Sequence, residues 1–283
     1  MEPEKGDPKI KVTVCDVAGG FRAAGAVPGD TVIYHGSLSS MGYVDGGPAT
    51  VIEGALAAVN SNGTMAIPTS WYHGKKAGKK SEEFDVRTSP SNVGALSEYF
   101  RTDQRSIRSN DFSHSVSAIG ARAAELTADH EKSEFLRTPW SNRAFGANSP
   151  WARLYDWNAL YCFIGVSMEV CTMKHYIEAR IVAECLSQAT PEQQEHLASC
   201  LVRIGSPGIW PWYDSGKIGD FFAKRGLVAT GRIGSATIRA IRTRTLVDET
   251  FLLLRDAPGD WFAADFLAWY KECLLRSCKN LSC

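Results

Sequence analysis

The stretch TVIYHGSLSSMGYVDGGPATVIEGALAAVNSNGTMAIPTSW, residues 31–71, decides the fold. It opens on TVIYH (31–35), a β-branched and aromatic run behind the turn signal VPGD, which predicts a strand. The Gly- and Ser-rich segment GSLSSMGYVDGG follows. PATVIEGALAAVNSNG then spaces its apolar residues as a helix does and stops on Asn-Gly. TMAIPTSW (64–71) predicts a second strand running into a loop. Strand, Gly/Ser loop, helix and strand in that order make a βαβ unit, the mark of an α/β protein.

Downstream, YHGKKAGKKSEEFDVRTSPS (72–91) is polar, first basic and then acidic, and reads as a long loop near a strand end. In a compact domain such loops commonly cover a substrate site. NVGALSEYFRTD predicts a helix, SHSVSAIG (113–120) a strand and ARAAELTADH another helix. After the turn-rich GANSPWARLYDWN, ALYCFIGV (159–166) reads as a buried strand. A helix is predicted from about 181 to 205, broken near Pro191, and the C-terminal third mixes helix and strand signals. One domain over 1–283 is the expected organisation, with room for a small helical insertion at about 181–215.

Composition narrows the function classes. The 283 residues include 44% hydrophobic and 22% charged side chains, which suits a globular protein. Lys+Arg and Asp+Glu both total 31, so there is no net basic field for nucleic acid. The start MEPEKGDPKIKV lacks the apolar core of a secretory signal, and no run reaches the length of a membrane span. The eight cysteines form no CxxC or other metal-ligand pair, so they are expected to be reduced thiols. A cytoplasmic protein without metal, nucleic acid or membrane partner is expected, as monomer or homodimer.

CTMKHYIEAR (171–180) carries the chemistry. Thr172, His175 and Glu178 recur every three residues, so a helix sets them on one face just past a strand's C-terminal end. A carboxylate bonded to one imidazole nitrogen fixes the tautomer and raises the basicity of the other. Of the other histidines, His35 closes a predicted strand and His114 opens one. His73 lies in the basic loop, and His130 and His196 read as surface residues. The loop after His35 has neither a Walker ending nor a dinucleotide fingerprint. Cys171 and Ser37 are possible nucleophiles, though no G-x-S-x-G elbow is present.

Five linked blocks together resemble the aminoglycoside 3-N-acetyltransferase (antibiotic N-acetyltransferase) family. They are PGDTVIYHGSLSSMGYVDGGPATVIEGALAAV with GTMAIPTSW, FDVRTSPSNVGALSEYFR, RSNDFSHSVSAIGARA, GANSPWARLYDWNALYCFIGV and CTMKHYIEAR. Their order and spacing run from about residue 17 to 235. The resemblance implies a three-layer α/β/α fold with a central mixed sheet, distinct from the GNAT acetyltransferases. It implies direct acyl transfer from acetyl-CoA, or another acyl-CoA, to a small-molecule amine: an aminoglycoside 3-amino group or a related natural-product amine. His175 then matches the general base, Glu178 its orienting partner, and Thr172 a residue at the thioester. His35, Gly36, Ser37, Leu38, Ser39 and Ser40 match the coenzyme loop, and Ser109, Phe112, His114 and Ser115 a second coenzyme block. Thr69, Asp85 and Asp214 are the candidate acceptor-binding residues.

Two blocks depart from the family pattern. R-S-x-H-P-x-H-S is here RSNDFSHS, with Asp111 and Phe112 in place of His and Pro, and H-S-S-L is here HGSL. Four lysines in residues 75–80 would repel a polycationic acceptor if they lay beside its site. Two other classes remain open at this point: a transacylase or hydrolase with a Cys171 or Ser37 nucleophile, and a ligand-binding member without catalysis.

Overall fold

The computed structural model describes residues 2–71, 83–203 and 206–279, so His73 and the four lysines lie outside the described residues. The chain begins β1 (Lys11–Val12), α1 (Val14–Ala23), β2 (Thr31–Gly36), β3 (Tyr43–Val44), α2 (Pro48–Val59) and β4 (Thr64–Pro68). Next come α3 (Ala95–Thr102), β5 (Ile107–Arg108), β6 (Val116–Gly120), α4 (Ala123–Thr127), α5 (Pro150–Asp156) and β7 (Leu160–Ile164). Then follow α6 (Met173–Ser187), α7 (Pro191–Ser199) and α8 (Ser215–Lys224). The strands β8 (Ala229–Ile233) and β9 (Ala236–Arg242) precede α9 (Thr243–Asp256), α10 (Pro258–Trp261) and α11 (Ala264–Lys279). No helix among the described residues is long and apolar enough to cross a membrane.

The main sheet has the order β5-β6-β4-β2-β7-β9-β8. Its centre, β4-β2-β7, is parallel, and β6 and β9 close it antiparallel on either side. The pleat sorts side chains between two cores, because successive residues of a strand point to opposite faces. On β7, Leu160, Cys162 and Ile164 pack with Val17, Phe21 and Val51 of α1 and α2. Tyr161 and Phe163 face the other way, into a larger core with Trp151, Ile177, Phe222 and Leu246. Helices on both faces of a mixed sheet make the expected three-layer α/β/α architecture.

Local chemistry explains where the elements differ from the sequence reading. The helix α6 begins at Met173, not near 181, so the Thr-His-Glu motif occupies its opening turns. The break at Pro191 is present: Pro191 is the first residue of α7, behind a Thr190/Gln193 capping box. Beyond Ser199 the predicted helix does not continue. That segment is extended, with bridges Leu201–Ile209 and Arg203–Ser206, and Pro207, Gly208 and Pro211 explain why. The mixed C-terminal signals resolve into the β8–β9 pair followed by α9. The helix α1, absent from the sequence reading, starts at a Thr13/Asp16 capping box.

The connections create the site. From neighbouring parallel strands, β2 runs on toward α2 on one face and β7 toward α6 on the other. A crevice therefore opens at their carboxyl ends. Gly165, at φ +63, lets the turn Leu38–Ser40 close over the end of β7; a Cβ there would stand 1.8 Å from Ser40 Oγ.

Candidate active site

The strand β2 ends at the crevice. Its alternation turns Val32 and Tyr34 toward α1 and α2, and Ile33 toward the larger core. His35 follows the same rule and meets Tyr161 of β7, whose hydroxyl lies 2.8 Å from His35 Nε2. The Thr172 backbone N–H donates to that phenol oxygen at 3.0 Å, so the phenol hydrogen is directed at His35 Nε2. Thr172 Oγ1 is 3.3 Å from the same nitrogen. Burial pushes the His35 imidazole down to about 4, which keeps it a neutral acceptor. The start of α6 is thus tied to the ends of β2 and β7.

One turn on, His175 Nδ1 lies 2.8 Å from Glu178 Oε2. Trp210 Nε1–H donates to the same oxygen at 3.0 Å. Two donors on one carboxylate oxygen hold the Nδ1–H tautomer of His175 and direct Nε2 outward as a proton acceptor. Burial raises the Glu178 carboxyl to about 8, against the pull of the Lys174 ammonium and the Trp210 donor. Burial, and then Lys174, lower His175 to about 3, so its resting form is the neutral imidazole that a base requires.

Aromatic rings enclose the imidazole. Trp140 is 4.1 Å from it centroid to centroid, His114 5.5 Å and Trp212 6.3 Å. Trp140 also meets Trp210 and Trp212 nearly at right angles. Trp212 is 45% exposed, so this wall reaches solvent. The sequence reading did not single out Trp140, Trp210, Trp212 or Tyr161. The only signal was the aromatic density of IWPWY (209–213) and the lone tryptophan of TPWS, neither of which has a motif's spacing.

The remaining sequence candidates fall into two groups. Ser37 and Ser39 stand at the lip of the turn, with hydroxyls 3.1 Å apart, and Leu38 is half-buried beside them. Gly36 is closely packed: a Cβ there would meet the Leu96 side chain at 3.3 Å, and that side chain would have to give by a few tenths of an ångström. His114 reaches the His175 ring, and Phe112 is half-buried. Other hydroxyls are spent on the fold. Ser40 donates to Ser37 O at 2.6 Å, and Ser115 donates to Thr69 O at 3.0 Å while accepting from Arg108 at 3.1 Å. Thr69 is fully buried against Ser117. Asp85 is exposed and accepts the Arg87 and Thr88 backbone N–H groups, and Asp214 caps α8 by accepting from Lys217.

His130 is not the surface residue expected. It is fully buried, with Nε2 donating to Ala144 O at 3.0 Å and Nδ1 accepting from Ser109 Oγ at 2.9 Å. The polar sequence around it hid a side chain that welds two loops. Cys171 is also buried, and burial pushes its thiol up to about 12, far from a thiolate.

A buried His–Glu dyad at the switch point of a mixed α/β sheet defines the class of site. The profile of the aminoglycoside 3-N-acetyltransferase family matches residues 33–255, and the chain belongs to that family. It is 31% identical over 183 residues to aminoglycoside N(3)-acetyltransferase VII of Streptomyces paromomycinus, covering 59% of this chain and 60% of that protein. The matched stretch thus stops well short of that relative's full length. Among solved structures, AAC-IIIb in a binary complex with CoASH superposes with a TM-score of 0.65 at 20% identity, over 90% of this chain and 98% of that one. AAC-VIa bound to sisomicin gives 0.62 at 24% identity, over 83% and 94%.

Proposed function

We propose that this chain is a coenzyme-A-dependent N-acyltransferase that moves an acetyl or other acyl group directly to an amine of an aminoglycoside or a related natural product. The family membership supports it, as does the name of the Streptomyces paromomycinus relative. The observation that carries it is the His175–Glu178–Trp210 relay, set beside the Ser37–Ser40 turn at the ends of β2 and β7. Acyl-CoA supplies a thioester carbonyl, and in this reading Gly36, Ser37, Leu38 and Ser39 hold its acyl end. Their fit rests on a strand end without a side chain and on two hydroxyls at the lip.

The acceptor ammonium loses one proton to become the nucleophilic amine. As its C–N bond to the acyl carbon forms, His175 Nε2 takes a second proton, the C–S bond breaks, and that proton leaves with the thiolate as the CoA thiol. Positive charge grows on the imidazole while it holds that proton, and the ionised form of Glu178, held by Trp210 and gained as pH rises toward 8, stabilises it. Thr172 Oγ1 and the opening N–H groups of the Leu38–Ser40 turn are donors for the negative charge that develops on the carbonyl oxygen. Cys171 has no nucleophile's role, because its buried thiol stays protonated.

The test is a thiol-release assay with aminoglycosides and simpler amines against several acyl-CoA donors, run with the wild type and His175→Ala. Turnover of at least one amine is expected, falling about 100-fold or more in the variant while coenzyme binding persists. A variant that keeps a tenth of wild-type kcat would remove His175 from the role of base.

A further inference from the structure

On the reading that His175 is the base, we propose that Lys174 is a positioning residue of the dyad: its ammonium is the counter-charge that favours the ionised form of the buried Glu178, and with it the Nδ1 proton on His175. Glu178 is fully buried, and both of its N–H donors fall on Oε2. Oε1 accepts no hydrogen bond among the described residues. What stands opposite it is Lys174 Nζ, at 3.8 Å and one helical turn earlier. The lysine is not a solvated surface cation. Its side chain is 19% exposed, and Nζ sits 5.2 Å from the face of the Tyr213 ring, which holds it inward.

A carboxylate buried without a cation is costly and takes up a proton instead. A carboxylic acid at 178 could no longer stabilise an imidazolium. The groups facing the dyad from other elements are His114 ahead of β6, Trp140 and Phe145 from the loop before α5, Cys171, and Trp210 and Tyr213 from the segment before α8. Burial raises both the Tyr213 phenol and the Cys171 thiol, so neither carries charge near neutrality. Lys174 is therefore the lysine or arginine within 4 Å of Glu178 among the described residues.

Removing the cation acts on both partners in one direction. Glu178 loses an attraction that favours its ionised form, and His175 loses a repulsion that disfavours its protonated form. The dyad as a unit then binds its proton at higher pH. At 3.8 Å even water-like screening makes the change about one pH unit, and burial enlarges it.

The experiment is an NMR titration of the full chain labelled with 13C and 15N histidine, from pH 5 to 10, with His175 assigned through His175→Ala. Lys174→Met is expected to move the dyad's titration up by about one unit or more, and Lys174→Arg to hold it near wild type. If Lys174→Met fails to fold, Lys174→Gln carries the same expectation. A titration that stays at the wild-type position in the uncharged variant overturns the proposal, as does an arginine variant that shifts equally far. The acid limb of kcat/KM should move with the NMR titration. Because the NMR readout needs no turnover, an inactive chain with a shifted titration would refute acyl transfer and leave the Lys174 pairing standing. An active chain with an unmoved titration would do the reverse.

Discussion

Raising the pH from 6.5 to 8 should destabilise this protein, and Glu178→Gln should abolish the effect. Glu178 is fully buried, and burial lifts its carboxyl from 4.5 to about 8. Between those values the folded chain holds a proton that the unfolded chain has released. The stability linked to this group is therefore complete below pH 4.5 and is lost as pH climbs through 8. His175 works in the opposite sense. It is lowered from 6.5 to about 3, so its contribution is present above 6.5 and is lost as pH falls toward 3. His35, lowered to about 4, behaves alike, so these histidines mask Glu178 below pH 6.5 and fall silent above it. One pH unit of differential proton binding is worth roughly 1 kcal/mol or slightly more, so the window costs about 2 kcal/mol. Urea unfolding at three pH values across the window, for wild type and Glu178→Gln, measures it. A wild-type stability that stays level from 6.5 to 8, or a variant with the same slope, would refute the assignment of the proton to Glu178.

Two further outcomes follow from the dyad's surroundings. Trp210→Phe removes the indole donor to Glu178 Oε2, a hydrogen bond to a charged group, so kcat/KM should fall roughly 10- to 100-fold, mostly in kcat. Unchanged kinetics would show that Glu178 needs no such support. Cys171→Ser should keep most of the turnover, and mass spectrometry of the wild type during turnover should find no acyl group on the chain. An adduct on Cys171 would restore the nucleophile route.

The parts of the fold with a short-range cause were legible. Period-2 and period-3.6 patterning marked β2, α2, β4 and β7, and Pro191 marked the break before α7. The i, i+3 spacing of His175 and Glu178 showed their pairing, since a helix leaves those side chains little choice. What escaped depends on contacts distant in the chain. Trp210 lies 32 residues from the carboxylate it supports, just past an extended segment that replaces the end of the predicted helix. His130 sits in a polar stretch, and only the partners Ser109 and Ala144 reveal why it is buried.

The departure at Asp111 shows how such distant demands can be met locally. Where the family pattern has histidine, Asp111 Oδ1 accepts from the Ser113 backbone N–H at 2.9 Å, the Ser113 hydroxyl at 2.8 Å and the His114 backbone N–H at 2.7 Å. A buried carboxylate with three donors on one oxygen builds a rigid turn, and attraction from His130 and bonds to Ser141 and His114 hold it ionised against the cost of burial. The turn fixes the backbone of His114, whose ring then stands 5.5 Å from that of His175. Ser113 extends the same network, accepting the Ser141 backbone N–H at 3.2 Å and so anchoring the loop that carries Trp140. The substituted residue thus positions two of the rings that wall the base. A change read in the sequence as a deviation on the coenzyme side acts in the structure as scaffolding for the dyad's enclosure.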